Sequence, residues 1–566
     1  MPPYSEPYRP QVHYTPARNW MNDPNGLVWH DGEFHLFYQY NPDGDRWGNI
    51  SWGHAVSPDL VHWEELGTAI PATPDEQVFS GSVVVDEHDT AGFGKAAAVA
   101  VYTAWNPATG RQAQSLAYST DHGRTWTRYA GNPVLDIGST EFRDPKVFWH
   151  ADGGYWVMVV ALAADRKIAL YSSDDLKAWT RLSEFGPAGA TGGVWEVPDL
   201  FELPVEGGGG GSKWMMAVSL NPGGPVGGSG VQYFVGDFDG VTFTPDDVST
   251  AWADHGRDFY AAVSWNGAPD GRRYWIGWMA NWDDIASIGT RPWRGAMSLP
   301  RELSLVADGG RVRLAQRPVG AVTGLRTGPA VQLNDLQVSG PASLPVAAGC
   351  GAIEIIAEFE PGTAERFGFL IGGATSGHDA HSGDDQVGSA ASRDDTHSGD
   401  DRAGSAISGD AAHSGDERAD GVMIGGGARV GDSQGGGAAS GEEAHIGQSQ
   451  GGGAASGDDA DATGGDCQVA RFGYDVRAGE LFVERGPGQA AAGRHGGPAP
   501  VEGGRVRFTA YLDTSSVELF GHGGQTVITD LVFPGPGGLG VFAEGGTAVL
   551  RSLTVQPLGS IWAPLH

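Results

Sequence analysis

Residues 1 to about 310 run as short apolar stretches separated by Gly, Pro, Asn and Asp. Gly26-Leu27-Val28-Trp29-His30, Glu33-Phe34-His35-Leu36-Phe37-Tyr38-Gln39-Tyr40 and Tyr155-Trp156-Val157-Met158-Val159-Val160 are representative. Apolar positions alternate with polar ones or run on for a few residues, and no window sustains a helical period, so this half reads as all-β. Residues from about 350 onward return to the same pattern in Ala352-Ile353-Glu354-Ile355-Ile356-Ala357-Glu358-Phe359, Arg505-Val506-Arg507-Phe508-Thr509-Ala510-Tyr511-Leu512 and Val517-Glu518-Leu519-Phe520. Alternation with short turns there predicts a β-sandwich.

A degenerate repeat divides the first half. Ser57-Pro58-Asp59 precedes Trp63, Ser119-Thr120-Asp121 precedes Trp126, and Ser173-Asp174-Asp175 precedes Trp179, each after a strand-like run. An Asp or Ser side chain can close a tight turn on backbone N–H groups, and the Trp can pack between neighbouring sheets. A spacing near 60 residues suits one four-stranded propeller blade with its loops. The reading is a five-bladed β-propeller over 1–315, a linker over 316–345 and a C-terminal β-sandwich over 346–566.

Within the sandwich, 372–466 turns to Gly, Ala, Ser, Asp and His. His-Ser-Gly-Asp recurs every 16 residues from His381, His397 and His413. Between Ser376 and Asp466 stand 18 acidic and 4 basic residues, −14 of the whole chain's −33. So little apolar surface cannot offset the chain entropy of folding, so a disordered, solvated insert is expected. Its spacing matches neither an EF-hand loop nor a calcium-binding nonapeptide. The net charge argues against nucleic acid or an anionic membrane as partner. Cys350 and Cys467 are the two cysteines, too few for a disulfide scaffold or a cysteine-rich zinc site. The N-terminus lacks a basic start followed by an apolar run, and no apolar run approaches a membrane span; a cytoplasmic location is the expectation, with a non-standard secretion route left open.

Chemistry concentrates in three acidic positions. Asp23 lies in Trp20-Met21-Asn22-Asp23-Pro24-Asn25-Gly26, Asp144 in Glu141-Phe142-Arg143-Asp144-Pro145-Lys146, and Glu196 in Val194-Trp195-Glu196-Val197-Pro198-Asp199. Inner strands of a propeller converge on a central funnel, where acids from different blades can meet. Proline after each aspartate biases it toward extended backbone. Two carboxyl groups flanking a scissile bond are the requirement for glycoside hydrolysis.

These motifs resemble glycoside hydrolase family 32, the family of invertases, levanases and inulinases. Trp20–Gly26, Arg143-Asp144-Pro145 and Trp195-Glu196-Val197-Pro198-Asp199 resemble its first three motifs. Phe79-Ser80-Gly81-Ser82, Asp258-Phe259-Tyr260-Ala261, Pro292-Trp293-Arg294-Gly295 and Asp513–Phe520 agree further. The resemblance implies a propeller followed by a sandwich, with Asp23 as nucleophile, Glu196 as acid/base and Asp144 as transition-state stabiliser beside Arg143. It also implies sucrose or a fructan as substrate; no metal or cofactor is expected, because the carboxylates supply all the acid–base chemistry. Asn22, Gln39, Trp47, Phe79, Ser80, Ser82, Arg143, Tyr260 and Trp293 are the expected substrate-binding residues. Gln39 and Ser82 would hydrogen-bond sugar hydroxyls, and Trp47 and Trp293 would wall the pocket. For the aromatics, above all Tyr260, core packing is the competing expectation. Val197 stands where the family commonly has cysteine and cannot hydrogen-bond through its side chain, so a shifted pH optimum is expected. Fructosyl transfer, an inverting arabinan- or xylan-cleaving propeller and a non-catalytic sugar-binding propeller are the alternatives, and the sandwich is a candidate surface for homo-oligomers.

Overall fold

The structure, a computed structural model, describes residues 4–207, 211–346, 351–372, 469–487, 489, 491–535 and 537–562. Most of the acidic insert expected at 372–466 lies outside these residues.

Five four-stranded antiparallel blades make up the first half. Their inner strands are Asn19–His30, Gln77–Asp86, Phe142–His150, Val194–Glu206 and Tyr260–Ser264, which pack around a ring in that order and back to the first. Burial explains the two kinds of sequence pattern. Asn19–His30 and Tyr260–Ser264 are buried along nearly their whole length, because blades cover both faces of an inner strand. The outer strands Glu64–Ile70 and Thr180–Phe185 face solvent and are largely polar.

The Ser-x-Asp turns do what their chemistry predicts at the ends of the third strands of blades 1, 2 and 3. Asp59 accepts the Val61 and His62 N–H groups, Asp121 the Thr125 N–H, and Asp175 the Lys177 and Ala178 N–H groups. Each also accepts the hydroxyl of its Ser. Blade 4 builds a related turn from Asp239, which accepts from Val241 and Thr242; it lacks the Ser and the Trp and so is silent in the repeat. The ring closes at blade 1, whose sheet takes in the two-residue strand Trp293–Arg294. Trp29 N–H donates to Asn266 O, Asn266 N–H donates to Leu27 O, and Asn19 pairs in parallel with Trp293.

Two six-stranded sheets form the sandwich, with Phe359, Phe367, Phe369, Phe472 and Phe508 in the core between them. One departure from expectation concerns the linker. Blade 5 ends at Pro318, and Val331–Val338 is an edge strand of the sandwich paired with Ala548–Pro557. Its Gln332, Asn334, Asp335 and Gln337 point to solvent along an exposed edge, which gives it the composition of a connector.

Propeller and sandwich join through a fully buried ionic network. Arg301 donates to Glu518 (2.6 Å), Asp254 (3.1 Å) and Thr529. His13 bridges Asp513 (2.8 Å) and Glu518 (2.9 Å). Burial works against the His13 imidazolium, but hydrogen bonds to Asp513 and Glu518 prevail and hold it up at about 9. A histidine raised in the fold contributes stability that is complete below its unfolded value and lost as pH rises through the folded one. Unfolding free energy should therefore fall by about 3 kcal/mol between about pH 6 and about pH 10 on this account. Denaturant titrations should show that fall in the native protein and a flatter profile in His13→Gln.

Candidate active site

Every inner strand carries a bulge near its start, two residues against one on the neighbouring strand. The doubled pairs are Asn22-Asp23 opposite Gln39, Phe79-Ser80 opposite Thr103, Asp144-Pro145 opposite Val160, Val197-Pro198 opposite Val218, and Ala261-Ala262 opposite Gly277. A bulge bends its strand and re-aims side chains. Five at one end of a five-strand ring turn the polar residues of five blades toward one funnel. Asp144, Val197 and Ala261 adopt positive φ of 66°, 47° and 53°. For a β-branched valine this backbone is uncommon and costs strain.

Asp23 lies deep and is held from both sides. Ser80 Oγ donates to Oδ2 at 2.7 Å and Asn22 Nδ2 to Oδ1 at 3.0 Å. Asn22 is itself fixed by Trp20 Nε1 at 2.7 Å. Burial pushes Asp23 up to about 6, with Ser80 and Asn22 pulling against it and Glu196 adding to the rise. Asp144 is also buried, and burial drives it well above the usual carboxylate range despite Arg143; Glu196 and Asp23 add to that rise. Its Oδ2 accepts the Val197 N–H at 3.1 Å, and its own N–H donates to Thr103 Oγ1 at 2.9 Å. Val197 thus meets the site through its backbone, while its side chain is buried in the cluster that includes Tyr260 and Trp278.

Glu196 is the more open carboxyl, half-buried where Asp23 and Asp144 are buried. Arg143 Nε donates to its Oε1 at 3.0 Å, and the Tyr260 hydroxyl donates to its Oε2. Tyr260 is therefore both buried core and part of the site. Arg143 also bonds Glu141 (2.7 Å) and Gln112 (3.3 Å). At the rim, exposed Trp47 meets Phe79 edge-on at 6.1 Å, and Phe79 stacks on Trp105 at 5.4 Å.

Two expected sugar contacts are not available. The Ser82 hydroxyl accepts the Val147 N–H at 2.9 Å and is buried, so it ties blade 2 to blade 3. Trp293 is 2% exposed, with the Arg9 guanidinium 3.7 Å from its ring centre, so it supports the funnel wall from behind. Gln39 lies opposite the first bulge and donates to Val78 O at 2.9 Å. Sequence reading missed Thr103, Gln112 and Gln114, which hold the Asp144 bulge: Thr103 donates to Gln114 (2.9 Å), and Gln114 donates to Phe142 O (2.9 Å). Their signal was faint, polar residues at buried positions of middle strands. Trp105 was missed as well, since it falls in no motif.

Paired carboxyl groups on a bulged propeller funnel, one buried and one open, define a propeller glycosidase site, here fused to a β-sandwich. Comparison with known proteins specifies the family. The N-terminal domain of glycosyl hydrolases family 32 matches residues 13–318 and its C-terminal domain matches residues 462–557. A levanase of Bacillus subtilis is 42% identical over 583 residues, covering 99% of this chain and 72% of the levanase. An invertase of Schizosaccharomyces pombe is 44% identical over 317 residues, 53% of this chain and 54% of the invertase. The crystal structure of an exo-inulinase from Aspergillus awamori superposes with a TM-score of 0.79 at 34% identity, covering 99% of this chain and 100% of that one. The chain belongs to glycosyl hydrolase family 32.

Proposed function

We propose that Asp23 is the nucleophile and Glu196 the acid/base of a retaining β-fructosidase acting on sucrose, levan, inulin or a short fructan. The supporting observation is the Asp23–Ser80–Asn22 arrangement facing a half-open Glu196 held by Arg143 and Tyr260. An Asp23 oxygen bonds to C2 of the fructosyl unit while Glu196 gives its proton to the departing glycosidic oxygen. Glu196 then takes a proton from water, whose oxygen displaces Asp23 from C2 and releases fructose. In this reading Asp144 holds fructose hydroxyls and stabilises the oxocarbenium-like transition state; its support is its burial beside Glu196 and Asp23, both of which raise its carboxyl. Incubation with sucrose, inulin, levan and levanbiose, with products resolved by chromatography, tests this reading. Fructose from at least one is expected; fructose from none would sink it, and longer oligosaccharides in its place would make the enzyme a fructosyltransferase.

Nucleophilic attack needs ionised Asp23, so kcat/KM should fall as pH drops through about 6, the value burial gives it. Ser80→Ala removes a hydrogen bond that favours the anion and should move that acidic limb upward by about one pH unit. A limb that does not move in the pH–rate profile would separate it from Asp23.

Phe79 and Trp105 offer parallel aromatic faces beyond the carboxylates, suited to a second sugar ring. Trp105→Ala should raise KM for levan or inulin about three- to tenfold while leaving sucrose nearly unchanged. Steady-state kinetics on polymer and disaccharide side by side would show an equal loss if this stack serves only the fold.

A further inference from the structure

The propeller has a second mouth. The inner strands run outward from the catalytic end, so their far ends, about 20 Å away by strand rise, ring the opposite face. Asn266 separates the two ends: its side-chain amide donates to Val83 O (2.9 Å) and Val147 O (3.0 Å), while its backbone pairs with blade 1. Beyond Asn266 opens a cavity of about 570 Å³, within the size range of small-molecule sites.

Its lining is unusual for a structural void. Trp29, Trp149 and Trp214 are half-buried there and come from blades 1, 3 and 4. None of their three indole N–H groups has a hydrogen-bond partner among the described residues, whereas Trp52, Trp126, Trp195 and Trp265 all donate to backbone carbonyls. An indole at a wet surface offers an apolar face and a free donor together. The floor holds Arg273, whose guanidinium lies 5.0 Å from the Phe201 ring centre. It donates to Trp265 O at 3.1 Å, and the buried Asp199 carboxylate offsets part of its charge from beyond ion-pair distance. Exposed Glu87 and Glu202 stand at the rim.

Carboxylates at the rim disfavour an anion, and a fixed guanidinium on the floor disfavours a cation. Flat aromatic walls with donors and acceptors of both signs match a neutral polyhydroxylated ring. From this geometry we infer a non-catalytic saccharide-binding site at the far mouth of the propeller, taking one or two sugar units. Its assignment to fructosyl units rests on the β-fructosidase reading, since a fructan chain is then the neutral sugar the protein meets. The site would hold polymer on the enzyme without taking part in cleavage.

Affinity electrophoresis through gels containing levan tests the inference on the full-length Asp23→Asn protein, which should not consume the polymer. Adding Trp149→Ala and Trp214→Ala should weaken levan retardation about tenfold. The same two changes in the chain that keeps Asp23 should leave kcat/KM on sucrose unchanged, which also reports an intact fold. If that double variant fails to fold, Glu87→Ala with Glu202→Ala alters only exposed rim residues and should weaken retardation in the same direction. Unchanged retardation in a folded variant overturns the site, as does loss of retardation to tetramethylammonium but not to fructose. Absent sucrose hydrolysis in the native protein would instead count against the catalytic reading and leave the retardation result standing.

Discussion

Asp23→Asn should lower the rate of fructose release by about 10⁴-fold or more, because an amide oxygen cannot form the ester at C2 on which this mechanism depends. The same substitution should make the protein more stable. Burial raises Asp23 to about 6, so in the fold the carboxylate opposes stability increasingly as pH rises from the unfolded value near 4 to about 6, and the full cost persists above that. A neutral isostere removes that cost, on the order of 3 kcal/mol at neutral pH. A higher Tm with lost activity would distinguish removal of the nucleophile from damage to the fold. A lower Tm, or activity within tenfold of native, would mean that Asp23 has another role. Ser80 and Asn22 hold this buried carboxylate and offset part of its desolvation, an arrangement in which function would be maintained against stability.

Glu196→Gln should reduce kcat on sucrose by about 10²- to 10⁴-fold, the range general acid–base catalysis supplies. Its signature is dependence on the leaving group. A fructosyl fluoride needs no proton to depart, so formation of the fructosyl-enzyme should survive while its hydrolysis, which needs Glu196 as base, becomes slow. Pre-steady-state kinetics should then show a burst of fluoride followed by a slow phase. Equal slowing of both substrates without a burst would assign Glu196 to binding. The geometry favours the acid/base role, because Glu196 is half-buried where Asp23 and Asp144 are buried, and Arg143 and Tyr260 fix both of its oxygens.

The architecture was legible because its determinants are local. Strand-length apolar runs, Asp-closed turns and the Trp after them appear in the chain as written, and the three acidic motifs stand just inside inner strands. What was illegible depends on register. Nothing in Phe79-Ser80-Gly81-Ser82 says that Ser80 falls in a bulge and meets Asp23 while Ser82, two residues on, turns to Val147. Trp293 shares a motif with Arg294, yet its ring is covered by Arg9 from the N-terminal segment, a contact across 284 residues that no spacing rule anticipates. Asp258, Asp513 and Glu518 sit in motifs that suggest chemistry, and the structure gives them to the buried junction between propeller and sandwich. Thr103, Gln112 and Gln114 do their work only because middle strands bring them beside the Asp144 bulge. The linker was misread because an edge strand with one solvated face has the composition of a connector.

The most direct test of the mechanism is to trap its intermediate. Glu196→Gln protein mixed with fructosyl fluoride should be quenched within the burst, digested and examined by mass spectrometry. A gain of one fructosyl unit is expected on the peptide that contains Asp23, and no such adduct in Glu196→Gln/Asp23→Asn. An adduct on another residue, or turnover with no adduct and an inverted anomer of fructose as first product, would contradict it.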